Sequence, residues 1–138
     1  MVDLLEAINI SFSLDFDHLW FFAKGQHYWD SPVKYRCPLE FEYPGLWDDM
    51  LDLFVPRREM KFNAADVTLG ELSLSKGDRL CYLLDYGDEW RFYMILTNII
   101  AEGDSEMKPV EVNRRGDEVV QYFFMIRSLM RGDIFRFI

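Results

Sequence analysis

Two stretches of alternating apolar and other residues flank a connection rich in Gly and Asp in the middle of the chain. The first stretch covers residues 79–86, the second covers residues 89–97, and residues 85–89 connect them. Because successive side chains of a β-strand point to opposite faces, each stretch predicts a strand with one apolar face. The apolar faces are Leu80, Tyr82, Leu84 and Tyr86 in the first strand and Trp90, Phe92, Met94 and Leu96 in the second. Together the two stretches predict an antiparallel β-hairpin.

Apolar residues recur at helical spacing near both ends of the chain. Residues 3–13 carry Leu4, Leu5, Ile8 and Phe12 on one stripe, which predicts an N-terminal helix. A second helix is predicted from Asp117, with the apolar stripe Val119, Phe123, Ile126 and Met130 and with Gly132 as its end. Residues 18–23 are rich in aromatics and predict a strand with two apolar faces.

The remaining segments give weaker patterns. Gly25 and Gln26 predict a turn into a short strand at 27–29, and Pro32, Pro38 and Pro44 make residues 30–45 irregular. Residues 66–74 predict an extended entry followed by one helical turn, and residues 110–113 a short strand. We therefore predict an α+β domain over residues 1–138. Its mixed or mainly antiparallel sheet has a central β-hairpin packed against an N-terminal and a C-terminal helix.

Charge is unevenly distributed along the 138 residues. The net charge is −9, made up of 9 basic and 20 acidic residues in 1–107 and 6 basic and 4 acidic residues in 108–138. An acidic body repels phosphate backbones, so general nucleic-acid binding is disfavoured. The first residues are acidic rather than basic, and no apolar stretch reaches the length of a membrane span, so we expect a cytoplasmic protein. Cys81, between apolar neighbours, is expected to be a small buried residue, and a disulfide between Cys37 and Cys81 is disfavoured in a reducing cytosol.

The connection of the predicted hairpin holds the densest group of candidate ligands. Asp85, Asp88 and Glu89 place three carboxylates within five residues, which is suited to Mg²⁺ or Ca²⁺ or to acid–base chemistry. A structural interpretation is favoured, because Asp bonds nearby backbone amides in turns and Gly87 supplies a positive φ. His18, beside Asp17, is interpreted as a hydrogen-bonded histidine rather than a zinc ligand. The sequence contains no P-loop and no dinucleotide fingerprint, so no cofactor is expected.

The segment of residues 46–54 reads as a short amphipathic helix with an acidic face. Its apolar anchors are Trp47, Met50, Leu51 and Phe54, the type of residue with which helices dock into apolar grooves of partners. Packing of the same side chains into the protein's own core is the favoured alternative.

The hairpin sequence from Gly77 to Arg91 resembles the signature of the plasmid pRiA4b ORF-3-like family, in which two strands flank a turn of the type Tyr-Asp-aromatic-Gly-Asp-x-Trp. Asp17-His18-Leu19-Trp20 with Phe22, then Gly25 with Tyr28, and Asp66 to Leu69 match further elements of that family. The resemblance covers residues 3–122 and implies an α+β domain. It makes Asp85, Tyr86, Gly87, Asp88, Trp90 and Arg91 the candidate site, and some members carry a transposon-passenger, resolvase-like description.

Three functions follow as hypotheses. The leading one is a non-enzymatic binding or interaction module linked to mobile elements, with an unknown protein partner. The alternative is a metal-dependent enzyme acting on nucleic acid through Asp85, Asp88 and Glu89. A second alternative is a DNA-associated accessory protein that uses Arg114, Arg115, Arg127 and Arg131.

Assembly is predicted from the sheet edge. Relatives usually begin with a β-strand before the first helix, whereas this chain starts close to its helix, so one sheet edge needs cover. Residues 30–65, residues 133–138 or another chain could supply that cover. We therefore expect a homodimer.

Overall fold

The computed structural model describes residues 1–43, 59–99 and the backbone of 133–137. Two helices and six strands are present in these ranges, together with three 3₁₀ turns. The helices and strands are α1 (Val2–Phe12), β1 (Trp20–Lys24), β2 (Val33–Arg36), α2 (Leu39–Glu42), β3 (Met60–Asn63), β4 (Arg79–Leu84), β5 (Trp90–Leu96) and β6 (Asp133–Phe137). The 3₁₀ turns are Tyr28–Asp30, Ala64–Asp66 and Gly70–Leu72.

All six strands belong to one mixed sheet in the order β3-β2-β1-β4-β5-β6. The four central strands, β2, β1, β4 and β5, pair antiparallel with one another, while the outer strands β3 and β6 lie parallel to β2 and β5. The prediction of an α+β fold with a mixed sheet is confirmed. No helix among the described residues is long and apolar enough to cross a membrane.

The predicted hairpin is confirmed as β4 and β5. Its register pairs Leu80 with Met94, Tyr82 with Phe92 and Leu84 with Trp90, so the two predicted apolar faces coincide. A shift of one strand by one residue would turn its apolar face away from the core, so the alternation excludes such a shift.

The helix α1 packs on the face of the sheet that carries Trp20, Phe22, Tyr82 and Phe92, here called the helix-covered face. The prediction of an N-terminal helix is confirmed. Phe12 contacts Phe92 with ring centroids 5.3 Å apart. The buried Tyr82 hydroxyl donates to Asn9 Oδ1 at 2.9 Å, which satisfies both polar groups inside the core.

The opposite face, here called the charged face, is built differently. Phe21 and Ala23 of β1 and Cys81 and Leu83 of β4 form a small buried cluster there. Tyr28, Trp29, Tyr86 and Tyr93 pack against that cluster, and Lys34 and Arg36 of β2 lie beside it through the register Ala23–Lys34 and Phe21–Arg36.

Two predictions for residues 27–45 are wrong. The expected strand at 27–29 is instead a 3₁₀ turn at Tyr28–Asp30, where Tyr28 adopts a positive φ of 45° that breaks the extended chain. The segment 30–45, expected to be irregular, contains β2 and α2. The prolines that suggested irregular chain, Pro32 and Pro38, lie just outside β2, where neither removes a hydrogen bond from within the strand.

The helical turn expected within 66–74 is present as Gly70–Leu72. Other predicted elements lie outside the described residues. These are the helices at 46–54 and from Asp117, the strand at 110–113, the anchors Trp47, Met50, Leu51 and Phe54, and the arginines Arg114, Arg115, Arg127 and Arg131.

Both flanks of the central strands are extended by the chain itself. Residues within 30–65 supply β2 and β3 on one side, and Asp133–Phe137 pairs with β5 on the other side. Asp133–Phe137 therefore extends the sheet within the same chain. The segment 133–138 was one of the three covers for the sheet edge that the sequence suggested. The homodimer stays a prediction.

Candidate functional site

The turn between β4 and β5 is a compact loop with two left-handed residues. Asp85 has φ 57° and Glu89 has φ 53°, and the Glu89 amide donates to Asp85 O at 2.7 Å to close the loop. The Asp85 amide donates to Leu19 O at 2.9 Å, which joins the turn to the chain just before β1. Non-glycine residues in this region of φ carry a strain that the surrounding contacts must hold.

The prediction that Gly87 needs a positive φ is wrong. The structure places the left-handed conformation at Asp85 and Glu89, on either side of it. Gly87 instead donates its amide to Asp85 Oδ1 at 2.9 Å, and a β-carbon at this position would lie 3.3 Å from the same oxygen. The glycine therefore serves a close approach rather than a special dihedral angle.

The carboxylates of Asp85 and Glu89 in this turn accept hydrogen bonds from within the protein. Besides Gly87, the partners are the Trp29 indole, which donates from Nε1 to Glu89 Oε1 at 2.9 Å, and the Arg91 guanidinium, which donates to Glu89 Oε2. Asp85 Oδ2 lies 3.6 Å from His18 Nδ1. Among the residues that the structure describes, no three His, Cys, Asp or Glu side chains form a group able to hold a metal ion.

The other residues of the candidate motif divide between the two faces of the sheet. Trp90, opposite Leu84, packs against the core under α1, whereas Asp88 is exposed. Arg91 lies with its guanidinium carbon 5.2 Å from the ring centroid of Tyr28. Tyr86 was expected beside Leu84, and this expectation is wrong, because the left-handed Asp85 ends the alternation and directs Tyr86 to the charged face.

An aromatic cluster on the charged face supports the turn. Trp29 contacts Phe21 and Tyr86 edge to face, with ring centroids 5.0 Å and 4.9 Å apart. Tyr86 also lies 5.9 Å from Phe21. Edge-to-face contacts suit the opposite charges of ring edges and ring faces. Three distant segments of the chain therefore meet at the turn: residues 21, 28–29 and 85–91.

Beside these rings lies a buried network of charged side chains. The Arg36 side chain is 0% exposed and donates from Nη1 to Glu40 Oε2 and from Nη2 to Glu59 Oε1, each at 2.7 Å. Lys34 Nζ donates to Trp29 O at 2.7 Å and to Ser31 O at 3.0 Å. It lies 3.2 Å from Glu59 Oε2 without hydrogen-bond geometry, so this contact is electrostatic.

The network reaches the turn through Tyr86, whose hydroxyl donates to Glu40 Oε1 at 2.5 Å. Burial raises the pKa of Tyr86 well above its ordinary value, and the negative charge of Glu40 raises it further. The hydroxyl therefore stays protonated and can donate. Burial by itself would lower the pKa of Arg36, but the carboxylates of Glu40 and Glu59 outweigh it and raise that pKa. Burial lowers the pKa of Lys34 despite the nearby Glu59.

Sequence reasoning missed this network. Lys34, Arg36, Glu40 and Glu59 are charged residues, and charged residues are rarely buried unless they are paired. The available signal was the alternation of Val33 and Tyr35 with Lys34 and Arg36, together with a Glu four residues after Arg36.

Alkaline pH is expected to destabilise the fold. Burial raises the pKa of Tyr28 to about 12 and also raises the pKa of Tyr82 and Tyr86. A folded state that holds its protons more tightly than the unfolded state is stabilised below the unfolded pKa of about 10. That stabilisation is lost as the pH rises through the folded pKa values, so the free energy of unfolding should fall above about pH 10.

Urea denaturation at neutral pH and at about pH 11 measures this effect. Tyr86→Phe, which removes one of the titrating hydroxyls, should reduce the pH dependence. A free energy of unfolding that is the same at both pH values would contradict the expectation.

The comparison with protein families gives a match over most of the chain. Residues 1–119 match the family described as plasmid pRiA4b ORF-3-like protein. Neither the curated proteins nor the solved structures contain a match to this chain. The matched range includes α1, the strands β1 to β5 and the whole turn from Asp85 to Arg91. The chain therefore belongs to the plasmid pRiA4b ORF-3-like family.

Proposed function

We propose that this protein is a non-enzymatic interaction module that binds another protein through the side of its sheet formed by α2 and β3. One observation carries the proposal. Five large apolar side chains from these two short elements and from Tyr43, directly after α2, are 40–60% exposed: Leu39, Phe41, Tyr43, Met60 and Phe62. Apolar surface gathered in one region of a soluble domain is typical of protein interaction sites.

The position of these residues in the sequence supports the same region. They stand on either side of residues 46–54, the segment whose composition suggested an interaction helix. The family description refers to a plasmid, which supports a partner among the proteins of mobile elements.

In this proposal the family motif is a scaffold. The carboxylates of Asp85 and Glu89 hold the loop and the Trp29 indole, and Tyr86 ties the loop to Glu40. Side chains that are hydrogen-bonded to groups of their own protein stabilise its conformation rather than a reacting substrate. Because Glu40 lies in α2, the motif also helps to fix the element that carries the exposed apolar residues.

Affinity capture with chemical cross-linking in the native host tests the proposal. The tagged protein is compared with the double variant Met60→Ser/Phe62→Ser and with the matched control Ile10→Ser/Phe16→Ser. The control changes apolar residues that are 64% and 55% exposed elsewhere on the surface.

We expect a stoichiometric protein partner that is cross-linked near β3, lost from the first variant and retained by the control. Equal capture by both variants would contradict a binding surface at β3. The absence of any stoichiometric partner of the unaltered protein would contradict the proposed function itself.

A further inference from the structure

The two elements that carry the exposed apolar side chains are too short to hold their positions alone. The α2–β3 surface is defined here as Leu39, Phe41, Tyr43, Met60 and Phe62. The helix α2 has four residues and no side-chain cap, and β3 also has four residues. Isolated helices shorter than about 12–15 residues are marginal in water, so tertiary contacts must fix α2. The contacts that position α2 and β3 therefore set the shape of this surface.

One buried guanidinium reaches both elements. Arg36 donates from Nη1 to Glu40 Oε2 at 2.7 Å, and from Nε and Nη2 to Glu59 Oε1 at 3.0 Å and 2.7 Å. The Arg36 side chain is 0% exposed, and the side chains of the two carboxylates are 7% and 4% exposed. The planar fork of an arginine holds carboxylates in a fixed geometry. A single side chain of β2 thus joins α2 to the residue that directly precedes β3.

Both carboxylates are sequence neighbours of exposed apolar residues. Glu40 stands between Leu39 and Phe41, and Glu59 directly precedes Met60. The three apolar side chains are 45%, 40% and 55% exposed, whereas the carboxylates beside them are buried. Each buried carboxylate is therefore an anchor for the exposed side chains next to it in the chain.

Tyr86 connects the same contacts to the turn of the family motif. Its hydroxyl donates to Glu40 Oε1 at 2.5 Å, while Arg36 donates to Glu40 Oε2. Both oxygens of the carboxylate are thus engaged, one by the turn and one by β2. The position of α2 therefore depends on the conformation of the turn as well as on Arg36.

We propose that Arg36 is the positioning residue of the α2–β3 surface, and that Tyr86 couples this surface to the turn from Asp85 to Arg91. The inference rests on the proposed function and specifies what controls its binding region. Because one guanidinium holds Glu40 and Glu59, the exposed side chains of α2 and β3 are presented together in one arrangement. A partner then meets a surface that is already ordered, which lowers the entropic cost of association.

Amide hydrogen exchange measured by NMR tests the inference without a partner. The reporters are the amides of Phe41 in α2 and Met60 in β3, each of which donates to a backbone oxygen at 2.9 Å. The comparison amide belongs to Leu14, which follows α1 and donates to Asn9 O at 2.8 Å.

Three variants are compared with the unaltered protein after circular dichroism has shown that each is folded. Arg36→Lys keeps the positive charge but loses the fork that contacts two carboxylates. Tyr86→Phe removes the hydroxyl that donates to Glu40. Tyr82→Phe is the matched control, because it removes a buried tyrosine hydroxyl that donates to Asn9 on the helix-covered face.

We expect Arg36→Lys to accelerate exchange at Phe41 and Met60 by about tenfold or more, and Tyr86→Phe to do so at Phe41. Each variant loses a hydrogen bond to a charged group, and the loss acts on the local opening equilibrium. Exchange at Leu14 should change little in both variants and should accelerate in Tyr82→Phe. Equal acceleration at all three amides in Arg36→Lys and Tyr86→Phe would mean a general loss of stability and would overturn the inference, as would unchanged exchange at Phe41.

Affinity capture adds a readout that a purely stabilising role would not move. The captured partner should decrease with Arg36→Lys and be retained by Tyr82→Phe. Full retention by Arg36→Lys would overturn this inference and leave the proposed function intact. The absence of any partner of the unaltered protein would contradict the proposed function, while the exchange pattern would still decide whether Arg36 positions the surface.

Discussion

Arg36→Met is expected to lower the free energy of unfolding by about 3–5 kcal/mol, the cost typical of removing one partner from a buried ion pair. Arg36 is fully buried and donates to both Glu40 and Glu59, whose side chains are themselves buried. Methionine fills a similar volume, but it removes the positive charge that pairs with the two buried carboxylates. Lys34, near Glu59, is then the cation that remains in the network. Urea denaturation of both proteins gives the difference directly.

Arg91→Met is the matched control, because Arg91 pairs with Glu89 at the surface. Exposed ion pairs contribute at most about 1 kcal/mol. Replacing Glu40 and Glu59 by Gln in the Arg36→Met protein should restore part of the loss, since the buried charges are then removed together. A loss for Arg36→Met no larger than that for Arg91→Met would contradict the buried network.

Phe21→Ala is expected to cost about 3–5 kcal/mol, the range for a buried aromatic side chain truncated to Ala. Phe21 is fully buried and supports both Trp29 and Tyr86 on the charged face. Its loss removes packing from under the turn as well as opening a cavity. The control Phe62→Ala removes the same side chain from an exposed site and should cost no more than about 1 kcal/mol.

A double-mutant cycle with Trp29→Ala separates packing from general loss of stability. Rings in contact are expected to show a coupling energy of about 0.5–1.5 kcal/mol. Additive effects of Phe21→Ala and Trp29→Ala would mean that the aromatic cluster does not act as a unit.

The elements that could be predicted from the sequence are those whose apolar residues follow one period. The hairpin has a period of two on both strands, and α1 has a helical stripe, so pattern alone located them and predicted that the face of Tyr82 and the face of Phe92 lie on the same side of the sheet. The strand β2 was missed because Pro32 and Pro38 on either side suggested irregular chain and because its residues on the charged face are Lys34 and Arg36. A buried charge looks like surface until its partners are known.

The site was predicted only in part for a similar reason. The motif residues around Asp85 could be read from the sequence, but the partners that occupy their side chains lie far along the chain, as Trp29 does for Glu89. Turn chemistry was also misassigned, because Gly is the usual residue with positive φ, whereas here Asp85 and Glu89 take that conformation under the constraint of their contacts. Local preference was overridden by tertiary structure at both positions.

The central claim is that the turn from Asp85 to Arg91 is a structural scaffold rather than a metal centre. Thermal unfolding with and without Mg²⁺, Mn²⁺ or Ca²⁺ tests it most directly, because an ion present at one hundred times its dissociation constant adds about 2.7 kcal/mol to the native state. We predict an unchanged unfolding temperature. A rise of several degrees that a chelator reverses, and that Asp85→Asn or Glu89→Gln abolishes, would contradict the account and assign Asp85, Asp88 and Glu89 to a metal site.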